Sequence, residues 1–448
     1  MIIHLDKTKL HLVDFFRKTE ALELFEAYKR SQWWPYEKIV ARQLEKIRSL
    51  LSHAYTNVPY YRRLFDENGV KPEAIRTLGD FRGLPLLSKE TVRAAGDRML
   101  AKNKERFKPH RKATGGSTGR PLTYYMDKKS RSAQWAHIYR LWNTAGWDPG
   151  DRMVVLGGTS LTPSAYAVKK WFYVKLNNWL LLSAFGMSDE SMQQWVGKLR
   201  GFKARYLHAY ASSAYLLAKF LQDNHITDIR FHAVFTTAEV LQPKYRETIE
   251  RVFDCRVYDF YGAADGGAFA FECEKQEGLH CVSESCFVEI VAENGRLAEP
   301  GEIGEVVTTD LNNYAMPFIR YKLGDKGTFA AHACACGRGL PLLQTIIGRT
   351  PDFIESRAGE RYHEEFFSYL FKDVAWIAQF CVVQENRLEL WVYLKPDRPP
   401  SEAEIERMRR FLSKKFPGMR LEIKVTDSLP VSANGKFKYI INKTTHQN

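Results

Sequence analysis

Residues 114–119 of the chain read Thr-Gly-Gly-Ser-Thr-Gly and are followed by Arg120-Pro121-Leu122. The three glycines allow the backbone to adopt positive φ and to turn its N–H groups toward an anion. Thr114, Ser117 and Thr118 add hydroxyl donors that a simple connecting loop does not need. The composition therefore predicts a phosphate-binding loop and a nucleotide ligand, with a flexible Ser/Gly surface loop as the alternative.

The loop differs from two well-known phosphate-binding sequences. No Gly-x-x-x-x-Gly-Lys-[Ser/Thr] register fits it, and the Gly-x-Gly-x-x-Gly spacing of dinucleotide-binding folds is absent. A nucleotide bound here would therefore belong to a different kind of fold.

The bulk composition is that of a globular protein with an anionic partner. A chain of 448 residues predicts two or three domains, and 45% hydrophobic with 26% charged residues is an ordinary balance. The net charge of +14 suits a nucleotide, a phosphate-rich coenzyme, an acidic glycan, nucleic acid or an anionic membrane surface. Because the basic residues are scattered and form no RNP-like motif, nucleic-acid binding is not expected.

The chain shows no targeting segment. Charged residues recur throughout its first thirty positions, and its most apolar stretch, Trp179 to Phe185, is far shorter than the ~20 residues of a membrane helix. Seven cysteines, an odd number, favour a reducing compartment. These features predict a cytoplasmic protein without a membrane span, and they leave a homodimer open.

Hydrophobic patterning predicts an α/β fold. Apolar runs at 152–158, 233–237 and 257–261 alternate with helical stretches and predict buried strands, whereas 284–310 has the turn-rich alternation of an antiparallel β region. After Pro351 the pattern begins afresh with two strands, a helix and a third strand. We therefore predict a large N-terminal domain of several subdomains, 1–348, and a small mobile α+β domain, 349–448.

Four further motifs follow the loop in order: Tyr261-Gly262-Ala263-Ala264-Asp265, Tyr321-Lys322-Leu323-Gly324-Asp325, Gly348-Arg349-Thr350 and Asn434-Gly435-Lys436. In this order and spacing the five motifs resemble the adenylate-forming superfamily. Within it, the chain is most similar to the subgroup of phenylacetate-CoA ligases, coenzyme F390 synthetases and CapK-type proteins. The segments 54–61 and 84–89 also resemble this subgroup, so the resemblance covers almost the whole chain.

The resemblance implies a role for each motif. The residues that would bind ATP are Thr114, Gly115, Gly116, Ser117, Thr118 and Gly119 around the phosphates, Ala238, Glu239, Tyr261 and Gly262 around the adenine, and Asp325 with Arg349 at the ribose. A carboxylate is a natural bidentate acceptor for a cis-diol. Lys436 would be the catalytic lysine of adenylation, and a solvated turn lysine is the alternative.

Two positions depart from the superfamily pattern. Asp265 stands where the superfamily usually has Glu, so a contact to Mg²⁺ must be made by a shorter side chain or through water. Pro351 occupies the hinge position between the domains, where its fixed φ restricts the rotation that this resemblance implies.

Two pairs of soft ligands predict a metal site. Cys273 with His280 and Cys334 with Cys336 would give a Cys₃His tetrahedron suited to structural Zn²⁺, and similar elements bind metal in some members of the subgroup. Cys281 or His332 would be substitutes for their neighbours, and inert thiols are the alternative. Other cysteines lie in apolar contexts that predict core positions, namely Cys255, Cys286 and Cys381.

The implied reaction is ATP-dependent activation of a carboxylic acid as an acyl-adenylate, with release of pyrophosphate, followed by acyl transfer to coenzyme A. An aryl or other small hydrophobic acid is favoured. The CapK side of the resemblance leaves open an amine or hydroxyl of a sugar or amino acid as acceptor, in polysaccharide biosynthesis. A nucleotide-binding homologue without ligase activity is the competing hypothesis.

Gly116→Val should abolish tight ATP·Mg²⁺ binding, because the new side chain would occupy the space through which the phosphates pass. Equilibrium titration of the variant with ATP measures this directly. Unchanged nucleotide affinity would show that the loop does not bind the phosphates.

Overall fold

The computed structural model describes residues 11–113, 122–158, 167–184, 187–347, 353–371, 374, 376–430 and 439–444. Their helices are α1 (11–17), α2 (Ala21–Ser31), α3 (Tyr36–Asn57), α4 (Pro59–Glu67), α5 (Leu78–Arg82), α6 (Lys89–Ala95), α7 (Lys128–Thr144), α8 (Ala167–Leu176), α9 (Asp189–Phe202), α10 (Ala211–Asp223), α11 (Pro243–Phe253), α12 (Glu364–Phe371) and α13 (Glu402–Lys415). Short 3₁₀ turns lie at Pro72–Ala74, Gly96–Met99 and Lys104–Phe107.

The strands of the large N-terminal part are β1 (His110–Ala113), β2 (Thr123–Met126), β3 (Met153–Gly157), β4 (Trp179–Ser183), β5 (Tyr206–Tyr210), β6 (Ala233–Thr237), β7 (Arg256–Ala263), β8 (Ala268–Glu272), β9 (Leu279–Cys281), β10 (Cys286–Val291), β11 (Gly304–Asp310), β12 (Tyr321–Phe329) and β13 (Leu342–Ile347). The strands that follow are β14 (Phe353–Glu355), β15 (Arg361–His363), β16 (Ile377–Asn386), β17 (Glu389–Pro396), β18 (Arg420–Val425) and β19 (Ile440–Asn442).

Several helices begin at side chains that cap them. Ser88, predicted as an N-cap, accepts a hydrogen bond from the backbone N–H of Thr91 at 3.1 Å. Ser401 and Glu404 form a reciprocal capping box at the start of α13. Both caps satisfy N–H groups that the first helical turn leaves without partners.

Eleven of the described strands form one sheet, in the order β10-β11-β12-β13-β9-β8-β7-β6-β5-β3-β4. Strands β3 to β7 pair in parallel, whereas β7 pairs with β8 antiparallel and the antiparallel pairing continues to β10. Every residue of β3, β5 and β6 is buried. Burial on both faces is typical of parallel strands that helices cover on both sides.

The helices cover the parallel strands in two layers. One hydrophobic cluster joins α1, α2 and α7 to one face of these strands, and a second joins α9, α10 and α11 to the other. A third cluster packs α3, α4 and α6 against the antiparallel strands. The predicted α/β class with a β region is therefore confirmed.

The sheet is larger than the sequence predicts. Strands β4 and β5 were not assigned from the sequence, and the antiparallel region continues the parallel sheet through the β7–β8 pair. Local patterning predicts individual strands, but it does not show that β7 pairs with β6 on one side and with β8 on the other.

The small C-terminal part has its own core. Its strands form the β14–β15 hairpin and a four-stranded sheet in the order β18-β17-β16-β19, and α12 and α13 contribute to the hydrophobic cluster. Residues 348–352, which include the predicted boundary, lie outside the described residues. In the described part of the chain, no helix is both long and apolar enough to cross a membrane.

A buried ion pair ties the antiparallel strands to the N-terminal helices. Arg320 pairs with Glu289 of β10 through two hydrogen bonds of 3.0 and 3.1 Å, and the side chains are 5% and 0% exposed. The same guanidinium donates to the backbone carbonyl of Leu84 at 2.5 Å. The Arg320 guanidinium therefore joins three segments that are distant in sequence: its own, that of Glu289 and that of Leu84.

Glu289→Gln should lower the free energy of unfolding by about 3–5 kcal/mol, because it leaves the buried Arg320 without its counter-charge. Urea denaturation of the full chain measures the change. The half-exposed pair Lys322–Glu305 offers a matched control, and Glu305→Gln should cost less than about 1 kcal/mol. Equal losses in the two variants would contradict the assignment.

Candidate functional site

Several of the predicted ligand-binding residues lie outside the described part of the chain. They are the loop Thr114 to Gly119, Arg349 and the predicted catalytic residue Lys436. The described candidates are Ala238, Glu239, Tyr261, Gly262, Asp265 and Asp325, together with the four predicted metal ligands.

Strands β5, β6 and β7 are parallel neighbours; Ala238 and Glu239 follow the carboxyl end of β6, and Tyr261 and Gly262 lie at the carboxyl end of β7, whereas Asp325 belongs to β12. Ala238 directly follows β6 and has a φ of +68°. The next residue, Glu239, accepts a hydrogen bond from the backbone N–H of Ser212 at 2.8 Å, near the start of α10. Ligands of α/β proteins bind at this edge of the sheet.

Tyr261 and Asp325 contact each other directly. The Tyr261 hydroxyl donates to Asp325 Oδ2 at 2.8 Å, across 64 positions of sequence. Burial and the neighbouring Asp325 raise the pKa of Tyr261 well above its ordinary value, so the hydroxyl remains a donor. The sequence shows only the order of these two motifs. The structure shows that their side chains are hydrogen-bonded to each other, next to Gly262.

Asp265 lies in the tight turn between β7 and β8. Its Oδ2 accepts a hydrogen bond from the Tyr321 hydroxyl at 3.0 Å and lies 3.9 Å from Lys89 Nζ. The Lys89 ammonium also donates to the backbone carbonyl of Leu323 at 3.2 Å. The carboxylate is therefore held from two sides, and its side chain is only 11% exposed.

Two glycines allow this turn to approach the strands behind it. A Cβ on Gly266 would lie 2.6 Å from Thr308 Cγ2, and one on Gly267 would lie 2.6 Å from Asp310 Cγ. Gly267 also has a φ of +65°, which L side chains rarely adopt. Larger residues would push Asp265 away from its partners.

Lys89 and Tyr321 contact the candidate residue Asp265, and the sequence reasoning gave neither of them a role. Leu87 forms a bridge with Tyr321, and its N–H donates to the Arg320 carbonyl at 2.9 Å, so the segment before α6 lies against β12. Both residues belong to stretches that carried the family resemblance. The family resemblance could have pointed to these two residues. Their contact with Asp265 is visible only in the structure.

The four predicted metal ligands come together. Cys273 follows β8, His280 lies in β9, and the loop between β12 and β13 supplies Cys334 and Cys336. Their ligand atoms all lie within 4.8 Å of one another. The Sγ atoms of Cys273 and Cys334 are 3.6 Å apart, and Cys336 Sγ is 3.3 Å from His280 Nε2.

The surroundings of this cluster fit a structural zinc ion. Backbone N–H groups of Lys275 and Arg338 donate to the sulfur atoms of Cys273 and Cys336, each at 3.4 Å. Burial alone would raise the pKa of Cys336, but these contacts with Arg338 lower it below its ordinary value. Burial lowers the pKa of His280 to about 4, which keeps the imidazole neutral as a ligand must be.

The proposed substitutes do not join the cluster. Cys281 points into the hydrophobic core beside the antiparallel strands, and His332 is exposed. Of the cysteines predicted to be in the core, Cys286 and Cys381 are fully buried, whereas Cys255 is only half-buried.

Comparison with known proteins identifies the fold and the relatives of the chain. A 2-hydroxyisobutyryl-CoA ligase, solved with its acyl-AMP and CoA, superposes with a TM-score of 0.63 over 93% of this chain and 92% of that one, at 22% identity. The chain therefore has the fold of the adenylate-forming CoA ligases.

Sequence comparison shows which proteins are similar to this chain. CapK of Staphylococcus aureus is 26% identical over 319 residues, 70% of this chain and 69% of CapK. The phenylacetate-coenzyme A ligase of Thermus thermophilus is 26% identical over 343 residues, 73% of this chain and 74% of the relative. A family model for the CapK C-terminal domain matches residues 354–443. The chain is thus a homologue of CapK and of the phenylacetate-CoA ligases, and the predicted resemblance is confirmed.

We expect one zinc ion per chain in protein purified without chelator, measured by elemental analysis. Replacing Cys334 and Cys336 together by Ser should abolish it, because two of the four ligands are removed. Cys255→Ser is the matched control and should keep the metal. Metal that survives the double substitution would place the site elsewhere, and its absence from the unmodified protein would refute the site.

Proposed function

We propose that this chain is an AMP-forming ligase that activates a carboxylic acid as an acyl-adenylate and transfers the acyl group to coenzyme A. The observation that carries the proposal is the meeting of Tyr261 with Asp325, and of Asp265 with Tyr321 and Lys89, at the carboxyl edge of the parallel strands. The relatives named for CoA ligation support it.

ATP would bind across this edge. Asp325 would accept hydrogen bonds from the ribose hydroxyls, and its bond from Tyr261 fixes the carboxylate for that task. Ala238 and Glu239 would border the adenine. The glycine-rich loop at 114–119, with Arg349 at the ribose, would complete the nucleotide site.

The first step forms the acyl-adenylate. An oxygen of the substrate carboxylate attacks the α-phosphorus of ATP, and the bond from that phosphorus to the pyrophosphate oxygen breaks in line. Lys436 would bridge the incoming carboxylate and the α-phosphate as negative charge concentrates there. In the second step the CoA sulfur, after loss of its proton, attacks the acyl carbon, and AMP leaves.

The residues around Asp265 fit a single Mg²⁺ contact. Magnesium in nucleotide sites is held by one or two carboxylates together with substrate phosphates and water. Both contacts described for Asp265 reach Oδ2, so Asp265 would have its other carboxylate oxygen to hold the cation. Bound Mg²⁺ would neutralise phosphate charge, and Lys89 would keep the short carboxylate in place.

An aryl or other small hydrophobic acid is the favoured substrate. Aromatic side chains are dense on the α7 side of strands β5 to β8, and they include Tyr139, Trp142, Trp147, Trp179, Phe260 and Phe269. These rings are buried and pack against one another, so the proposal of an aryl acid is supported by the phenylacetate-coenzyme A ligases among the relatives.

A second acceptor is favoured by the CapK relationship. CapK aligns over a similar share of the chain, and the C-terminal residues 354–443 match the CapK domain model. An amine or hydroxyl of a sugar or amino acid would then replace the CoA thiol in the second step. The zinc cluster would serve either reaction structurally, because four protein ligands leave no open position.

Acid-dependent exchange of pyrophosphate into ATP tests the proposal. We expect exchange with at least one aryl or small hydrophobic acid, and Lys436→Ala should lower it by about 10²–10³-fold, since a transition-state contact is lost. ATP binding should stay almost unchanged, because most ground-state contacts come from the large domain.

The two steps can be separated with pre-formed acyl-adenylate. The Lys436→Ala variant should still consume it with the true acceptor, since transfer does not need the adenylation lysine. A variant that retains exchange, or that binds ATP poorly, would contradict this role. Absence of exchange with every acid tested would favour the nucleotide-binding homologue without ligase activity.

A further inference from the structure

Three basic side chains flank the phosphate loop outside its own sequence. His110 and Lys112 lie on β1, which leads into the loop, and Arg131 lies in α7, which follows β2. No role has so far been given to these residues. Their placement beside an expected phosphate site makes their chemistry informative.

Strand and helix geometry bring the three together. Residues two apart on a strand face the same side, so His110 and Lys112 share one face of the β1–β2 hairpin. Met126 of β2 pairs with His110, and α7 begins two residues later. The N–H of Arg131 donates to the Asp127 carbonyl at 3.0 Å, which places Arg131 one helical turn beyond the end of β2.

The positive charge of this group is not neutralised by the described residues. None of the Asp or Glu side chains in the described ranges forms an ion pair with His110, Lys112 or Arg131. Among the described residues, the Arg131 guanidinium donates to the Lys18 carbonyl at 3.4 Å, and its buried Nε has no hydrogen-bond partner there. By contrast, the nearby Lys128 is paired with Glu20.

Lys112 and Arg131 repel each other, and together they disfavour the charged form of His110. Burial and then Arg131 lower the pKa of Lys112, and burial, Arg131 and Lys112 lower the pKa of His110. A half-buried ammonium without a counter-ion costs folding free energy. An anionic ligand would offset that cost, because phosphate oxygens accept charge-assisted hydrogen bonds from the Lys112 ammonium and the Arg131 guanidinium, and a further hydrogen bond from the ring N–H of a neutral His110.

We propose that His110, Lys112 and Arg131 form a phosphate-binding site on β1 and the first turn of α7, and that its ligand is a phosphate group of coenzyme A. The choice of ligand rests on the proposed function. The ATP phosphates already have the loop and Mg²⁺, whereas the diphosphate and 3′-phosphate of coenzyme A need further cations. The pyrophosphate end of ATP shares this chemistry and is the other source to be tested.

Calorimetric titration of the full chain with CoA, dephospho-CoA, ATP and inorganic pyrophosphate tests the site. Lys112→Met should weaken CoA binding by about 10- to 100-fold, as expected for one lost charge-assisted contact. Arg111→Met is the matched control, because Arg111 is exposed on the same strand and faces the other side. It should leave all four affinities unchanged.

Comparing the four ligands shows which phosphate group binds at the site. A loss for CoA that is absent with dephospho-CoA assigns the site to the 3′-phosphate, and equal losses for both assign it to the diphosphate. A loss confined to ATP and pyrophosphate supports a phosphate site but overturns its assignment to coenzyme A. No loss in Lys112→Met, or an equal loss in Arg111→Met, overturns the site itself.

Thermal melting without ligand distinguishes binding from a structural role. Removing an uncompensated, half-buried cation should leave the melting temperature unchanged or raise it, whereas a structural lysine would lower it. Arg131→Met provides a second variant with the same expected loss of affinity if Lys112→Met folds poorly. Because these readouts measure binding and not turnover, they remain informative even if no acid supports pyrophosphate exchange.

Discussion

The close approach of the β7–β8 turn to strands β11 and β12 is the constraint on which the candidate site depends. Gly266 and Gly267 leave no room for a Cβ against Thr308, Leu323 and Asp310. The Thr308 hydroxyl donates to the Gly266 carbonyl at 2.7 Å and holds the turn in place. Asp265 consequently reaches Tyr321 and Lys89, and β7 can pair parallel on one side and antiparallel on the other.

The antiparallel strands fix the position of the β7–β8 turn. The buried Glu289–Arg320 pair joins β10 to the residue before β12, and Arg320 also holds the chain at Leu84, which precedes Lys89. At the other end of the same strands, the Cys₃His cluster links β8 and β9 to the β12–β13 connection. None of these side chains is a described partner of Asp265, so their effect on the candidate site would be positional.

Sequence motifs named candidate residues for both sites because each motif is local. The spacing of Cys273, His280, Cys334 and Cys336 indicated a four-ligand cluster, and the fold brings those four atoms within 4.8 Å. The motif around Tyr261 and the motif around Asp325 were each recognisable alone. Their direct hydrogen bond was not, because it joins strands whose pairing depends on the whole sheet. Lys89 was missed for the same reason.

The sequence by itself determined the class of fold, the order of its motifs and the chemistry available at each one, since periodicity, turn residues and ligand types are properties of short segments. Tertiary structure alone decided which of these groups meet. The contacts of Asp265 with Lys89 and Tyr321, and of Tyr261 with Asp325, join segments far apart in the chain. Such contacts are set by packing of the complete sheet and its helices, which no local pattern encodes.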